Sequence, residues 1–176
     1  MVPYFQNEEE DDLSLLREFT EVFESVGIGC KTTVEMGRYF AAECGFYLTA
    51  VNDTKLIKKQ RIAVLDGGIH QLSYSGGAMG MFTPRFELIK ADGEARERNE
   101  WMLCGSLCTT SDILVRSCET EELRESDILV FKNAGAYCMT EGLSLFLSRD
   151  LPRVALYKDG QFVVKREPTD TYPLNH

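Results

Sequence analysis

The segment RVALYKDGQFVVKRE, residues 153–167, contains two short apolar runs separated by Asp159-Gly160. An Asp-Gly pair between such runs indicates a β-hairpin, because the tight turn that suits two twisted strands needs residues that tolerate positive φ. We therefore predict two antiparallel strands around this turn. Similar short runs that end at glycine-containing turns occur upstream, in QRIAVLDGG (60–68), PRFELIKADGE (84–94) and ESDILVFKNAGAY (125–137).

The N-terminal part has a different pattern. Residues 7–29, NEEEDDLSLLREFTEVFESVGIG, repeat apolar side chains at helical spacing and predict a helix from Asp12 to Val26. A shorter helix to about Cys44 and a strand from Phe46 to Val51 are predicted next. The expected fold is mainly β, an antiparallel barrel or sandwich of roughly six to eight strands, preceded by one helical element.

Composition narrows the classes of partner. The chain has 176 residues with 19 basic and 28 acidic side chains, a net charge of -9. Nucleic acid and anionic membranes are disfavoured as partners, because phosphate binding needs clustered Lys and Arg. The sequence shows neither a signal peptide nor an apolar stretch long enough to span a bilayer. The six cysteines are therefore predicted to be reduced thiols of a cytoplasmic protein.

Two of these cysteines lie in the unusual segment EWMLCGSLCTTSDILV, residues 100–115. Cys104 and Cys108 are separated by three residues and are followed by hydroxyl side chains and an aspartate. A metal clip, a disulfide and a thiol placed for chemistry are all conceivable here. A structural zinc site is disfavoured because neither a second cysteine pair nor a His-x-x-x-His pattern follows, so we predict no metal.

Two further segments carry polar groups at predicted turns. In VEMGR (34–38), Glu35, Gly37 and Arg38 lie where a helix would begin, an arrangement that suits an anion. On spacing alone, an ordinary surface turn with a Glu–Arg pair is favoured. In NAGAYCMT (133–140), Tyr137 follows a glycine turn at the end of a strand. The glycine-rich segment LDGGIHQLSYSGGAMG (65–80) has no Lys-Ser/Thr pair, so it predicts a mobile loop or connection and no phosphate loop.

These segments, taken in order, resemble the C-terminal half of the pyridoxal-phosphate decarboxylases of the alanine-racemase fold type. This family includes the diaminopimelate and ornithine decarboxylases, and the resemblance extends from about Val2 to Glu167. Its Glu-Pro-Gly-Arg, Gly-Pro-x-Cys-(Asp/Glu) and Gly-Ala-Tyr motifs correspond to Glu-Met-Gly-Arg at 35–38, Gly-Ser-Leu-Cys-Thr at 105–109 and Gly-Ala-Tyr at 135–137. The segments that carry it are VEMGRYFAAECGFYLTAV (34–51), VLDGGIH (64–70), CGSLCTTSDIL (104–114), VFKNAGAY (130–137) and LSRDLPRVAL (147–156).

The resemblance implies a domain organisation. Residues 1–43 would be the last helical unit of a (β/α)8 barrel together with the Glu-x-Gly-Arg cofactor loop, and Val2–Phe5 would end the phosphate loop. Residues 44–176 would form a C-terminal β-domain that packs on the next subunit of a homodimer. The family's cofactor-binding lysine lies far upstream and no lysine here matches it. The chain is therefore expected to be part of a longer enzyme and inactive by itself.

The same resemblance assigns roles to individual residues. Glu35 would pair with the ring nitrogen of pyridoxal 5'-phosphate, and Gly37 and Arg38 would hold its phosphate with help from Tyr137. Cys108 would reach into the neighbouring subunit's site and return a proton to Cα after carbon dioxide leaves. Cys104 is predicted to be a strand residue.

Departures from the family pattern concern the substrate. Thr109 stands where the diamine-specific branches have an acid, and SYSGGAMGMFTPRF (73–86) replaces the Arg-Pro-x-x-Tyr of the diaminopimelate branch. We therefore expect a modified or carrier-protein-linked amino acid as substrate. Two alternatives remain open: an amino-acid racemase of the same fold type, disfavoured by the thiol at Cys108, and a non-catalytic β-barrel module for binding or dimerisation.

Overall fold

The computed structural model describes residues 14–74, 79 and 81–175. These residues form two α-helices, eight strands and three short 3-10 turns. The helices are α1 (Ser14–Val26) and α2 (Gly37–Ala41), and 3-10 turns follow at Ala42–Cys44, Phe146–Ser148 and Tyr172–Leu174. The strands are β1 (Tyr47–Ile57), β2 (Gln60–Leu65), β3 (Phe86–Ile89), β4 (Arg98–Cys104), β5 (Ile113–Glu121), β6 (Ile128–Phe131), β7 (Val154–Lys158) and β8 (Gln161–Arg166).

Six strands form one sheet in the order β3-β6-β1-β2-β4-β5, and β7 and β8 pair separately. The expected mainly β fold is confirmed, and so is the hairpin across Asp159-Gly160, where both residues have positive φ. One pair differs from the antiparallel expectation: β2 and β4 run parallel, with Arg61 opposite Trp101. A parallel pair needs a long crossover, and the chain supplies it with the segment from residue 66 to residue 97 that includes β3.

The sequence pattern did not indicate the full length of β1 or the strands β4 and β5, which lie at one end of the strand order. β1 runs on to Ile57 and turns into β2 through Lys58 and Lys59, which have φ values of 47° and 73°. Positive φ is uncommon outside glycine and asparagine, so this turn has no sequence signal. β4 and β5 were not predicted as full strands, although the prediction that Cys104 lies in a strand is confirmed.

The core is one cluster of buried residues from the six-stranded sheet and from the loops around it. Its fully buried members include Leu65, Leu103, Leu129, Phe131 and Tyr74. Burying a side chain of this size contributes about 1.5–3 kcal/mol, so the sheet and the loop that carries Tyr74 stabilise each other. The hydroxyl of Tyr74 donates to the carbonyl of Lys132 at 2.5 Å.

The predicted N-terminal helix is present as α1, although its expected start at Asp12 lies outside the described residues. Its apolar stripe is exposed: the exposed fractions are 42% at Phe19 and 65% at Val26. The helix therefore does not bury this stripe against the sheet. Among the described residues, none of the helices is long and apolar enough to cross a membrane.

A buried ion pair closes the end of the sheet near β6. The side chains of Arg96 and Asp127 are 2% and 0% exposed, and Arg96 Nη1 lies 2.5 Å from Asp127 Oδ2. Asp127 also accepts the backbone N–H groups of Ala91 and Arg124, and Arg96 reaches a second carboxylate at Asp92. These contacts pair both buried charges, which is the condition under which a buried ion pair is tolerated. Within the described residues, the Nε of Arg96 has no hydrogen-bond partner.

Candidate functional site

The loop that carries Tyr137 is fixed against α2 by a close backbone approach. The N–H of Gly135 donates to the carbonyl of Ala42 at 2.9 Å, and that of Ala134 donates to Gly45 at 2.9 Å. A Cβ added at Gly45 would lie 2.3 Å from the backbone of Gly135. Only glycine fits at such a distance, so these two glycines allow the segments around residues 45 and 135 to meet.

This approach assembles Gly37, Arg38 and Tyr137 into one group. Tyr137 has a φ of 65°, and its hydroxyl lies so near Gly37 that a Cβ there would be 2.9 Å away. The guanidinium carbon of Arg38 lies 4.9 Å from the centroid of the Tyr137 ring, a cation–π distance. Arg38 Nη2 also donates to Glu141 Oε1 at 2.7 Å. We call Gly37, Arg38, Tyr137 and Glu141 the Arg38 cluster.

A second group lies on the loop between β4 and β5. The carboxylate of Asp112, 2% exposed, accepts the N–H of Ile69 at Oδ1 and that of Leu107 at Oδ2, each at 2.8 Å. The backbone carbonyl of Asp112 accepts the N–H of Gly105 at 2.9 Å. A buried carboxylate that takes two backbone donors fixes its neighbours strongly. Asp112 therefore sets the conformation of the loop that carries Cys108, which we call the Cys108 loop (residues 105–112).

The two thiols of this region differ in exposure. Cys108 is exposed, whereas Cys104 is half-buried at the end of β4. Burial, reinforced by the nearby Asp112 carboxylate, raises the pKa of the Cys104 thiol. Thr109 is partly buried, and its hydroxyl accepts the N–H of Ser111 at 3.3 Å within the loop. Of the two thiols, Cys108 is thus the one that a reactant can reach.

The glycine-rich segment packs between the two groups. Its first part, residues 66–74, is largely buried, which disfavours the mobile loop predicted there. Residues 75–78 and 80 of the same prediction lie outside the described residues. The N–H of Ile69 donates to Asp112, while its carbonyl accepts the N–H of Leu143 at 3.3 Å. The segment therefore links the Cys108 loop to the chain that follows Glu141.

A buried histidine lies in this linking segment. His70 is 2% exposed, and within the part of the chain that the structure describes neither ring nitrogen has a hydrogen-bond partner. Burial lowers the pKa of His70, the Arg149 charge acts in the same direction, and the Asp112 carboxylate opposes them. His70 is therefore a neutral group near neutral pH, and protonating it works against folding.

The predicted site residues thus fall into two sets. Gly37, Arg38 and Tyr137 come together, with Glu35 exposed immediately before α2, while Cys108 and Thr109 lie on the other loop. The sequence-based prediction missed Asp112 and Glu141. No local sequence signal marks Asp112, because Gly68 and Gly105, at which Cβ atoms would lie 2.5 and 2.2 Å from its carboxylate, are brought to it by the fold.

Solved structures share this fold. A crystal structure of diaminopimelate decarboxylase superposes with a TM-score of 0.79 at 25% identity and covers 99% of this chain and 44% of its own. A second structure, AQ1208 from Aquifex aeolicus, gives a TM-score of 0.80 at 20% identity over 96% of this chain and 40% of its own. The class defined by the sheet and its loops is therefore that of fold-type III pyridoxal-dependent enzymes.

The family itself follows from the sequence match. The model described as "Pyridoxal-dependent decarboxylase, C-terminal sheet domain" matches residues 22–135, and the chain belongs to this family. It is 26% identical to the L-glutamyl-[BtrI acyl-carrier protein] decarboxylase of Niallia circulans over 96% of this chain and 42% of that protein. It is 28% identical to the diaminopimelate decarboxylase of Methanothermobacter thermautotrophicus over 94% of this chain and 39% of that protein. The chain thus spans less than half the length of these relatives.

The Arg38 cluster has the donor set that a phosphorylated cofactor needs. A guanidinium can donate two parallel hydrogen bonds to a phosphate, and a phenol hydroxyl can add a third. The absence of a side chain at Gly37 leaves the Tyr137 hydroxyl accessible, because a Cβ there would stand 2.9 Å from that oxygen. The residues present therefore fit the cofactor that the family name states.

Proposed function

We propose that this chain is the C-terminal and dimer-interface part of a pyridoxal-phosphate-dependent amino-acid decarboxylase. The observation that carries the proposal is the family match over residues 22–135, combined with the convergence of Gly37, Arg38 and Tyr137 in one cluster. Residues 1–43 would belong to the last helical unit of the cofactor-binding barrel. Residues 44–176 would form the β-domain.

The proposal assigns the cofactor contacts to this chain's own groups. Arg38 and Tyr137 would hold the phosphate, and Glu35 would accept a hydrogen bond from the protonated ring nitrogen. Bound there, the cofactor supplies an electron sink for the charge that develops at Cα when carbon dioxide leaves. The carboxylate of Glu35 keeps that nitrogen protonated through its charge, and its exposed position before α2 leaves it available.

Cys108 would supply the proton that Cα needs after decarboxylation. Its exposure at the tip of a loop suits a group that acts across a subunit interface, in the active site of the partner of a homodimer. Asp112 holds this loop through Leu107, the residue before Cys108. Positioning a proton donor in this way contributes roughly 10²–10⁴-fold to a rate.

The proposed substrate is an amino acid that is modified or linked to a carrier protein. Thr109 stands where diamine-specific relatives have an acid, and its hydroxyl is already engaged with Ser111. Burying a distal ammonium without a charged partner costs more free energy than a hydrogen bond to a hydroxyl contributes. The similarity to the L-glutamyl-[BtrI acyl-carrier protein] decarboxylase also supports a carrier-linked substrate.

The test uses a decarboxylase in which this chain forms the C-terminal part. Cys108→Ala should lower the rate of correct product formation by about 10²–10⁴-fold, with less effect on carbon dioxide release, because only the proton donor is removed. Release of labelled carbon dioxide and chiral analysis of the amine measure the two steps. Cys30→Ala, at another exposed cysteine, is the matched control and should leave both unchanged.

Mixed dimers test the position of the thiol. Subunits carrying Cys108→Ala, combined with subunits that lack the cofactor-binding lysine, should recover one working site per dimer. The proposal fails if such mixtures regain no activity or if Cys104→Ala is the more damaging change. Efficient turnover of free diaminopimelate or ornithine, without gain from carrier-linked analogues, would exclude the proposed substrate.

A further inference from the structure

The ion pair in the Arg38 cluster joins two residues that sequence motifs do not connect. Glu141 lies between the segments 130–137 and 147–156, so the family resemblance assigns it no role. Its Oε1 is 2.7 Å from Arg38 Nη2, and the two side chains are 29% and 31% exposed. The guanidinium is thus shared between a carboxylate and the face of the Tyr137 ring.

The backbone fixes the position of this carboxylate. The N–H groups of Thr140 and Glu141 both donate to the carbonyl of Tyr137 at 2.8 Å, which closes a turn immediately before Glu141. On the other side, Gly142 packs so near the linking segment that a Cβ there would lie 3.0 Å from the carbonyl of Ile69. Glu141 is therefore held on both sides, and its contact with Arg38 follows from the fold of the loop.

A fixed carboxylate at this place opposes the binding of other oxyanions. A phosphate or carboxylate bound to Arg38 lies near the negative charge of Glu141, because Glu141 Oε1 is 2.7 Å from Arg38 Nη2. For two unit charges taken to be about 7 Å apart, effective dielectric constants of about 40 to 80 give a repulsion that raises the dissociation constant roughly three- to tenfold. The same carboxylate also orients the guanidinium, which favours oxyanion binding, whereas its charge opposes it. A substitution that keeps the hydrogen bond and removes the charge separates these two effects.

We propose that Glu141 is a positioning residue that holds Arg38 over Tyr137 and whose charge weakens oxyanion binding at Arg38. The inference rests on the proposed function in taking the cofactor's phosphate as the oxyanion. Glu141→Gln retains an oxygen that can accept from Arg38 and removes only the charge. It should therefore tighten oxyanion binding while the orientation of Arg38 is preserved.

The experiment titrates the chain with inorganic phosphate at constant ionic strength and follows the backbone amide resonances of Gly37 and Arg38 by NMR. Glu141→Gln should lower the phosphate dissociation constant about three- to tenfold, and Arg38→Gln should abolish the response. Glu43→Gln is the matched control: Glu43 is exposed in the turn after α2 and carries the same formal charge. It should change the constant by less than about twofold, because exposed charges at longer range are screened.

Several results would overturn the inference. These are an unchanged or weaker phosphate affinity in Glu141→Gln, an equal effect of Glu43→Gln, and no response in any variant. Pyridoxine 5'-phosphate, which has no aldehyde to label lysines, and pyridoxine then separate the sources of the oxyanion, with acetate as the carboxylate probe. If inorganic phosphate shows the Glu141 effect but pyridoxine 5'-phosphate binds no more tightly than pyridoxine, the inference stands and the assignment of Arg38 to the cofactor's phosphate fails.

Discussion

Asp112→Asn removes the charge that holds the Cys108 loop without changing the size of the side chain. In the native protein both carboxylate oxygens accept backbone N–H groups, from Ile69 and from Leu107, at 2.8 Å. An asparagine can accept only one of them, because its amide nitrogen is a donor. The other N–H then faces a donor inside a site that is 2% exposed in the native protein.

The magnitude follows from these two bonds. A hydrogen bond to a charged group contributes about 1.5–3 kcal/mol, and a buried donor left without an acceptor costs about 1–3 kcal/mol. Relief of the desolvated charge offsets part of this loss. We expect the free energy of unfolding to fall by about 2–4 kcal/mol, which for a chain of this size lowers the melting temperature by roughly 4–16 °C.

Urea unfolding can be followed through the single tryptophan. Trp101 is 2% exposed in β4, the strand that leads into the Cys108 loop. Hydrogen exchange at the amides of Ile69 and Leu107 provides the local measurement, and one of the two should lose its protection in the variant. Asp53→Asn, at an exposed ion pair with Lys55, is the matched control and should unfold at the wild-type urea concentration.

The reasoning is refuted if Asp112→Asn unfolds at the wild-type urea concentration with both amides still protected. It is also refuted if Asp53→Asn is equally destabilising, because the effect would then come from net charge. If protection is lost without a change in global stability, Asp112 orders the loop locally and contributes little to folding, which contradicts the estimate.

Three further predictions concern the same chain. Asp127→Ala leaves Arg96 buried without its main partner and should lower the free energy of unfolding by about 3–5 kcal/mol in urea titrations. Because burial lowers the pKa of His70, its contribution to stability is complete above the unfolded-state pKa of about 6.5 and is lost as the pH falls through the lower folded-state pKa. His70→Gln should therefore flatten the pH dependence of the unfolding midpoint below about pH 6.5. The chain mixed with pyridoxal phosphate and borohydride should give only scattered surface labelling, and a stoichiometric adduct at one lysine would contradict the proposed division of the enzyme.

Asp127 extends the pH argument to more acidic conditions. Burial acts to raise the pKa of its carboxyl, but the hydrogen bonds from Arg96, Ala91 and Arg124 outweigh burial and lower it. Its contribution is therefore complete above the unfolded-state pKa of about 3.9 and is lost as the pH falls through the lower folded-state pKa. The contributions of His70 and Asp127 to the free energy of unfolding are thus lost in different pH ranges as the pH falls.

The parts of the fold that the sequence predicts are those whose signal is local. Asp159-Gly160 defines the β7–β8 hairpin, because its residues tolerate the positive φ that the turn needs. The β1–β2 turn uses Lys58 and Lys59 at positive φ, and sheet pairing overrides their preference. The parallel β2–β4 pair depends on a crossover of the chain, which no pattern within either strand encodes.

The candidate site divides in the same way. Glu35, Gly37, Arg38, Cys108 and Tyr137 are found through motifs, each of which occupies a few consecutive residues. Asp112 and Glu141 act through contacts with residues 43 and 103 positions away in the chain, so their roles exist only after folding. A carboxylate in a turn-rich segment otherwise predicts an exposed side chain.

The linking segment explains why two loops with different proposed tasks are held together. Ile69 binds the Cys108 loop through its N–H and contacts the chain after Glu141 through its carbonyl. Two segments that share one rigid backbone unit keep a fixed relative geometry, and proton transfer and cofactor binding both depend on placement within fractions of an ångström. If the Arg38 cluster and Cys108 serve the two active sites of one dimer, as proposed, this unit sets the geometry of one site relative to the other.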